Sequence, residues 1–259
     1  VPFDFEAGQY EVALSQYMDR AATWGINVMR VPFSWQAIEP VKDEWNEEVL
    51  LRLEKFVDAA WARGIWTILD FHQDVYAESF CGDGFPEWTL SESGESRHDC
   101  PSWFEAYTSN EDVIAAFDAL WAEESPVRAE MAEMWSMMAT RFKDRAGVIA
   151  YEIVNEPSPG SAETRAWEEF VLAPFYQEMI DVIQAADDNA IVLFDSSGHQ
   201  AITTQSDLPP LERDNTIFAP HYYDPGALFH GGLNDDVIGR LRRWHMKAQE
   251  LGVPVLLGE

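Results

Sequence analysis

The chain has 259 residues, of which 47% are hydrophobic, and it carries a formal net charge of −29 from 46 acidic and 17 basic residues. This length and apolar content suffice for one large core, so we expect a single domain over residues 1–259. The negative charge argues against a nucleic-acid partner, because a protein that binds phosphate backbones needs the opposite sign. No apolar run reaches the roughly eighteen residues of a membrane span, which excludes a transmembrane segment.

The basic residues include few lysines: Lys42, Lys55, Lys143 and Lys247. An acidic, lysine-poor surface is typical of salt-tolerant proteins, although any acidic secreted enzyme also fits. The sequence does not open with a basic region followed by an apolar one, so no signal peptide is visible. Val1 is not a start residue, which leaves room for a removed leader. We expect a secreted or extracytoplasmic monomer.

Apolar periodicity predicts helices and strands in alternation. The predicted strands are 26–33, 65–71, 148–154, 191–194, 216–219 and 253–257, and the predicted helices are 10–21, 50–61, 131–142, 166–186 and 237–251. Gly64 is expected to end the second helix, and Pro174 to kink or divide the fourth. The region from His72 to Asn110 is expected to be irregular.

The predicted strands are short and almost wholly apolar. Such strands are typical of a parallel sheet covered by helices, which places the chain in the α/β class. A (β/α)8 barrel and an open doubly wound sheet both fit this pattern. No glycine-rich phosphate-binding motif follows any strand, which weakens the dinucleotide-binding version of the open sheet.

Polar residues interrupt the apolar strands at their carboxyl ends, where a parallel barrel carries its catalytic groups. These residues are Arg30, Asp70, His72, Asn155, Glu156, His221, Tyr223 and Glu259. Glycoside hydrolysis needs two carboxylic acids, one protonated to donate to the leaving oxygen and one ionised to attack the anomeric carbon. Either glutamate alone would be interpreted as a surface residue; as a pair at matching strand ends they indicate this chemistry.

Four motifs in this order resemble glycoside hydrolase family 5, the cellulase family of clan A, over nearly the whole chain. They are Val-Met-Arg-Val-Pro-Phe at 28–33, Val-Asn-Glu-Pro at 154–157, His-Tyr-Tyr at 221–223 and Leu-Leu-Gly-Glu at 256–259. The resemblance implies a (β/α)8 barrel and a retaining double displacement in which Glu156 is the acid/base and Glu259 the nucleophile. It implies no metal and no cofactor.

The same resemblance implies roles for the neighbouring polar residues. Asn155 would hold the 2-hydroxyl of the sugar. Arg30 and Tyr223 would hydrogen-bond Glu259 and keep it ionised. His72 and His221 would line the sugar site, the alternative for each being a core histidine with its hydrogen bonds satisfied.

Residues 70–76 (Asp-Phe-His-Gln-Asp-Val-Tyr) and 82–88 (Gly-Asp-Gly-Phe-Pro-Glu-Trp) resemble the endoglycoceramidase branch of that family. Its members release the intact glycan from a glycosphingolipid. Asp70, His72 and Trp88 would then contact the first sugar, the alternative for Trp88 being core packing. Relatives that act on β-glucans or simple β-glucosides share similar motifs. A non-catalytic carbohydrate-binding barrel is the alternative of another class.

The chain departs from the family pattern at both ends. It opens about where the first barrel strand should already have ended, and it stops at Glu259, where an eighth strand would follow. We therefore expect a barrel that lacks its first and last strands in this sequence, with two unpaired sheet edges.

The two cysteines, Cys81 and Cys100, lie in one stretch rich in Gly, Ser and Asp. A disulfide across this stretch would suit an oxidising compartment; two free thiols are the alternative. No CxxC motif or Cys/His cluster indicates a metal site.

Overall fold

Helices and strands alternate along the computed structural model, which describes residues 9–90, 103–234 and 236–259. The strands are β1 (Val28–Phe33), β2 (Trp66–Phe71), β3 (Val148–Glu152), β4 (Val192–Phe194) and β5 (Thr216–Phe218). The helices are α1 (Gln9–Thr23), α2 (Trp35–Ile38), α3 (Glu47–Trp61), α4 (Trp103–Ser109), α5 (Glu111–Trp121), α6 (Pro126–Phe142), α7 (Thr164–Trp167), α8 (Ala173–Ala186), α9 (Gly198–Thr203), α10 (Pro225–His230) and α11 (Val237–Leu251). Every strand and helix expected from the periodicity thus has a counterpart, except the last strand.

The five strands form one parallel sheet in the order β1-β2-β3-β4-β5. A doubly wound sheet reverses its strand order at a switch point, whereas a barrel keeps neighbouring strands in chain order. The observed order therefore confirms the barrel arrangement and removes the open-sheet alternative.

The predicted strand at 253–257 is wrong as a full strand. It is reduced to one parallel bridge between Phe218 and Val255. Two backbone hydrogen bonds flank the bridge, from Phe218 N to Pro254 O (3.0 Å) and from Leu256 N to Phe218 O (3.0 Å). Pro254 has no N–H to donate, which shortens the ladder. The segment nevertheless runs beside β5 and brings Glu259 to the carboxyl end of the sheet.

The two faces of the sheet carry different cores. The face toward the helices belongs to a large apolar cluster whose members extend from Val31 to Leu251. The interior face carries a small apolar layer, Ile68, Ala150, Leu193 and Ala219, with one residue from each of β2, β3 and β4 and one just after β5. Residues two positions further along these strands point to the same face because side chains alternate. That alternation places polar side chains above the apolar layer, at the barrel mouth.

The region from His72 to Asn110 is less irregular than expected. It contains α4 and two short 3-10 helices, Glu78–Phe80 and Glu87–Thr89. Around Pro174 the helix neither breaks nor divides, because a π-helical turn at Glu168–Leu172 joins α7 to α8. A wider turn accommodates a proline that lacks its N–H and crowds the carbonyl four residues earlier.

Cys81 follows the first 3-10 helix with a left-handed φ of 65° and is disulfide-bonded. Cys100 lies outside the described residues, so the pairing of the two cysteines stays a prediction. Over residues 9–90, 103–234 and 236–259, no helix has both the length and the apolar character that a membrane crossing requires.

Candidate active site

A cavity of about 220 Å³ opens at the carboxyl ends of the strands. Its lining residues are His72, Asp74, Asn155, Glu156, Tyr223, Leu228 and Glu259. Both predicted catalytic glutamates therefore face one cavity, together with three of the residues predicted to bind substrate. Asp74 and Leu228 are additions that the strand-end argument did not single out.

Glu259 is held as a carboxylate by partners on both of its oxygens. Arg30 Nη1 donates to Oε1 at 2.6 Å, and the Tyr223 hydroxyl donates to Oε2 at 2.5 Å. Burial raises the pKa of Glu259, but the Tyr223 hydrogen bond and the positive charges of His221 and Arg30 outweigh burial and hold this pKa below its ordinary value. An ionised carboxylate of this kind is what a nucleophile requires.

Arg30 projects from β1 into the interior and contacts four acceptors. Its Nε and Nη2 donate to Glu152 at 2.6 and 3.1 Å, and Nη2 also donates to Asn155 Oδ1 at 2.7 Å. The same Nη2 lies 3.2 Å from Asp70, while Nη1 binds Glu259. Burial lowers the pKa of Arg30, but these carboxylates outweigh it and the pKa rises. The planar guanidinium thus fixes the relative positions of several strand ends.

Glu156 is buried, with only 3% of its surface exposed, and its backbone adopts an unusual φ of 41°. The Gln73 amide donates to the carbonyl oxygens of Asn155 (2.9 Å) and Glu156 (3.1 Å), and Asn155 Nδ2 donates to Gln73 O (3.0 Å). Gly198 lies so close that a Cβ there would sit 2.9 Å from Glu156 Oε2. A non-glycine residue at positive φ is strained, and such strain concentrates at functional sites.

His221 corrects one sequence expectation. It is fully buried, and its Nδ1 lies 2.7 Å from Glu156 Oε1, so it contacts the carboxyl of Glu156 from behind and does not line the cavity. Burial lowers the pKa of His221, but the nearby carboxylates of Asp195 and Glu156 outweigh burial and raise this pKa to about 9.

The two glutamates are close to each other. One oxygen of Glu156, one oxygen of Glu259 and a ring nitrogen of His221 all lie within 4.8 Å of one another. Retaining glycosidases separate their carboxyl groups by about 5–5.5 Å, whereas inverting ones need about 6.5–9.5 Å to fit a water molecule. The spacing of these oxygens is closer to the retaining arrangement than to the inverting one.

Asp70 and His72 form a pair on β2 and the loop after it. Asp70 is fully buried, and its Oδ2 lies 2.9 Å from His72 Nδ1. Asp70 therefore orients His72 and, contrary to the expected sugar contact, does not line the cavity. The His72 side chain is 24% exposed and faces the cavity. Burial lowers the pKa of His72, but hydrogen bonds to Asp70 and Asp74 raise it to about 10. A cationic histidine therefore lines the site at neutral pH.

Trp88 lies apart from the catalytic cavity. Its ring packs edge-on against Trp35 with a centroid distance of 5.3 Å, and its Nε1 donates to Glu39 O at 3.0 Å. It is absent from the lining of the cavity that contains both glutamates. Core packing, the alternative considered from the sequence, accounts for this position, and the predicted sugar contact receives no support.

Two buried carboxyls were not predicted from the sequence. Glu152, at the end of β3, has a pKa raised to about 7 by burial and by Asp70, with Arg30 opposing. Asp195, directly after β4, has a pKa raised by burial, with the charge of His221 opposing the rise. Glu152 and Asp195 each lie two positions after a residue of the interior apolar layer, so their side chains point to the same face of the sheet. This two-residue spacing is the sequence signal that could have identified them.

A second cavity, of about 300 Å³, also borders Glu156. Its lining is mostly loop and short-helix residues: Tyr107, Thr108, Ile114, Glu156, Pro157, Ser158, Pro159, Gly160, Ala162, Thr164, Ser197, Gly198, His199 and Ile202. Glu156 lines both cavities, whereas Glu259 lines the first and not the second.

The sequence of the chain matches known proteins over most of its length. The model of the family described as cellulase (glycosyl hydrolase family 5) matches residues 4–259. An endoglycoceramidase of Cyanea nozakii is 26% identical over 238 residues, which are 78% of this chain and 46% of that protein. The chain thus spans about half the length of this curated relative.

Two solved structures of endo-glycoceramidase II from Rhodococcus sp. have a similar fold. Its ganglioside GM3 complex superposes with a TM-score of 0.85 at 28% identity, covering 94% of this chain and 61% of that one. Its lactosyl-enzyme intermediate gives a TM-score of 0.84 at 28% identity, covering 94% and 60%.

Proposed function

Because the chain belongs to glycosyl hydrolase family 5, we propose that it carries the catalytic centre of a retaining endo-β-glycosidase. The observation that supports this most directly is the pair formed by Glu156 and Glu259, which approach within 4.8 Å in different surroundings. Glu259 is partly exposed and bound by cationic and hydroxyl donors, whereas Glu156 is buried against a histidine. Two carboxyl groups in unlike environments are what separate acid and nucleophile roles require.

In this mechanism, Glu259 attacks the anomeric carbon and forms a covalent glycosyl-enzyme. Glu156 gives its proton to the leaving oxygen, then takes a proton from the water that attacks the anomeric carbon and frees Glu259. Arg30 and Tyr223 keep Glu259 ionised before attack. Asn155 lines the cavity beside both glutamates and is assigned the contact to the sugar 2-hydroxyl. The roles of these residues are part of the proposal.

We assign the second cavity to the leaving group, because it borders the proton donor Glu156 and not the nucleophile. Several apolar side chains line it, including Ile114 and Ile202. Leu228 lines the catalytic cavity, and Phe229 and Leu233, which follow it in the chain, are 59% and 76% exposed. Exposed apolar residues beside a polar cleft suit a substrate that joins a glycan to an apolar aglycone.

The substrate class we propose is a glycosphingolipid, from which the intact glycan is released. The similarity to endoglycoceramidases and to a protein solved with ganglioside GM3 supports this choice. A cellulase-like activity on a β-1,4-glucan is the second candidate, favoured by the family description.

We also propose that the protein is secreted, salt-tolerant and monomeric. The disulfide at Cys81 suits an oxidising compartment, and the net charge of −29 suits high ionic strength. The same charge disfavours nucleic acid as a partner.

The direct test is hydrolysis of a fluorescent glycosphingolipid beside a soluble β-1,4-glucan, with the anomeric product followed by NMR. Release of the intact glycan with retained configuration is expected. Retaining cleavage of the glucan alone would keep the mechanism and overturn the substrate, and inversion would overturn the mechanism.

Variants Glu156→Gln and Glu259→Gln should each abolish turnover of substrates with alkyl leaving groups. Glu250→Gln, which alters an exposed carboxylate paired with Lys247, is the control and should retain wild-type activity. Calorimetric binding of the glycan without any hydrolysis by the wild-type protein would favour a non-catalytic carbohydrate-binding barrel.

A further inference from the structure

A buried histidine–carboxyl pair lies behind the proposed acid/base. Nε2 of His221 and Oδ2 of Asp195 are 3.8 Å apart, and the two side chains are 0% and 1% exposed. Within the described residues, neither atom has a hydrogen-bond partner. Unpartnered buried polar atoms are rare and costly, so an electrostatic or catalytic reason for keeping them is expected.

Backbone contacts hold Asp195 in place. Its Oδ1 accepts a hydrogen bond from Ser196 N at 2.6 Å, which leaves Oδ2 directed at the histidine. The Tyr176 hydroxyl donates to the Asp195 carbonyl at 2.8 Å and ties this strand end to α8. Asp195 is therefore fixed before any substrate arrives.

We propose that Asp195 is a positioning residue for the acid/base step, acting through His221 to set the orientation and charge of the ring that contacts Glu156. This inference rests on the proposed glycosidase function. A histidine with one ring nitrogen on the reacting group and the other facing a carboxylate has its tautomer and charge set by that carboxylate. His221 opposes the rise of the Asp195 pKa, so the two charges stabilise each other across 3.8 Å.

The charges around the ring come from both of its sides. Glu156 (2.7 Å) and Glu259 (3.9 Å) face Nδ1, while Asp195 (3.8 Å) and Glu152 (4.0 Å) face Nε2. Two further ionisable neighbours are Arg30, whose charge lowers the pKa of His221, and Tyr223, whose ring stands edge-on to the imidazole at a centroid distance of 6.2 Å.

In the proposed reaction, protons move only between Glu156, the leaving oxygen and water. Glu156 gives its proton to the leaving oxygen and recovers one from water, so Asp195 and His221 exchange none with the substrate. When Glu156 becomes a carboxylate, it stands 2.7 Å from Nδ1, and a cationic ring stabilises the new charge. Asp195 preserves that cation, because its carboxylate raises the pKa of His221.

The test is Asp195→Asn, which keeps the size of the side chain and an oxygen for Ser196 N. For a glycoside with an alkyl leaving group, kcat/KM should fall about tenfold or more, within the ~10²–10⁴-fold contribution of a general acid. Without the Asp195 charge, the cationic ring of His221 loses its proton at a lower pH, so the alkaline limb of the kcat/KM profile should move to lower pH. A 2,4-dinitrophenyl glycoside needs no proton donation, so its rate of glycosyl-enzyme formation should stay close to that of the wild type.

Equal losses on both substrates, with the pH profile unmoved, would overturn the proposal and leave Asp195 a structural residue. Asp181→Asn, which alters an exposed carboxylate paired with Arg213, is the matched control for the change of side chain. Glu156→Gln must show the same leaving-group dependence in a stronger form. If it does not, the proposed function fails; if only Asp195→Asn does not, this inference alone fails.

A second measurement does not depend on turnover. In the wild-type protein, the nitrogen resonances of His221 should titrate with a pKa above the ordinary value of about 6.5, and in Asp195→Asn this pKa should fall. An unchanged titration in a folded variant would contradict the proposal.

Discussion

Arg30 Nη1 lies 2.6 Å from Oε1 of Glu259, although 229 positions separate the two residues in the chain. One residue extends from the first strand of the described sheet, and the other ends the segment beside the last strand. Their ion pair therefore connects the two edges of the described sheet at the barrel mouth. The proposed nucleophile depends on this distant contact and on the nearby Tyr223 for its ionised state.

Replacing Tyr223 by Phe should impair catalysis most at low pH. The Tyr223 hydroxyl lowers the pKa of Glu259, so its removal raises that pKa, and the carboxylate is lost at a higher pH than in the wild type. The acid limb of kcat/KM should therefore move upward. Tyr222→Phe is the control, because the Tyr222 hydroxyl binds Asp224 and not Glu259. Matching pH profiles for the two variants would contradict the assigned contact.

Replacing Gly198 by Ala should reduce activity without unfolding the protein. The new Cβ would stand 2.9 Å from Glu156 Oε2, so the movable end of that side chain must shift. Misplacing a proton donor by about 1 Å can cost up to ~10²-fold in rate. Gly232→Ala is the control, because its added Cβ would meet nothing within 4 Å. Steady-state kinetics and thermal unfolding of both variants decide the matter: wild-type kcat in Gly198→Ala would refute the crowding argument.

Stability should fall as the pH rises from near neutral to about 10. The folded-state pKa of His72 is raised to about 10 from an unfolded value of about 6.5, so its contribution is fully present below 6.5 and is lost as the pH passes 10. One proton changes the free energy of unfolding by at most about 1.4 kcal/mol per pH unit. Urea unfolding should be measured at several pH values across this window. The free energy of unfolding should fall less steeply with pH in His72→Gln than in the wild type. His245→Gln, which alters a surface histidine on α11, should leave the slope unchanged.

Added salt should stabilise the protein. With a net charge of −29, the folded chain repels itself, and raising the salt from about 0.1 M to about 1 M shortens the screening length from ~10 to ~3 Å. The Tm in sodium chloride should therefore rise over this range. A Tm that falls steadily would indicate that surface ion pairs such as Arg141–Glu47 contribute more than the overall repulsion.

The sequence predicted the strand ends and the meeting of Glu156 and Glu259 at one cavity, because apolar strands that end in polar residues leave a clear pattern. The catalytic roles of the two glutamates stay a prediction. It predicted less well which polar residues reach the cavity. Asp70 and His221 share the strand-end position of Glu156, yet both are fully buried behind another side chain. Depth below the mouth depends on register and neighbouring side chains, which periodicity does not encode.

Gln73 and Gly198 were missed for a related reason. Gln73 acts through hydrogen bonds to two backbone carbonyls, and Gly198 acts through the absence of a side chain. Neither role leaves a chemical signature in the sequence. Trp88 presents the converse case, because its ring suits a sugar face yet packs against Trp35, and its predicted sugar contact stays a prediction.

The left-handed backbone of Glu156 has a consequence for how such a site persists through evolution. A side chain at φ 41° carries strain on the order of 1–3 kcal/mol, and glycine would relieve it. Selection for thermodynamic stability alone would therefore favour the loss of the proposed proton donor, through a substitution that leaves the fold intact or improves it. Fold stability alone therefore does not explain a glutamate at this position, whereas a role of its carboxyl in the chemistry does.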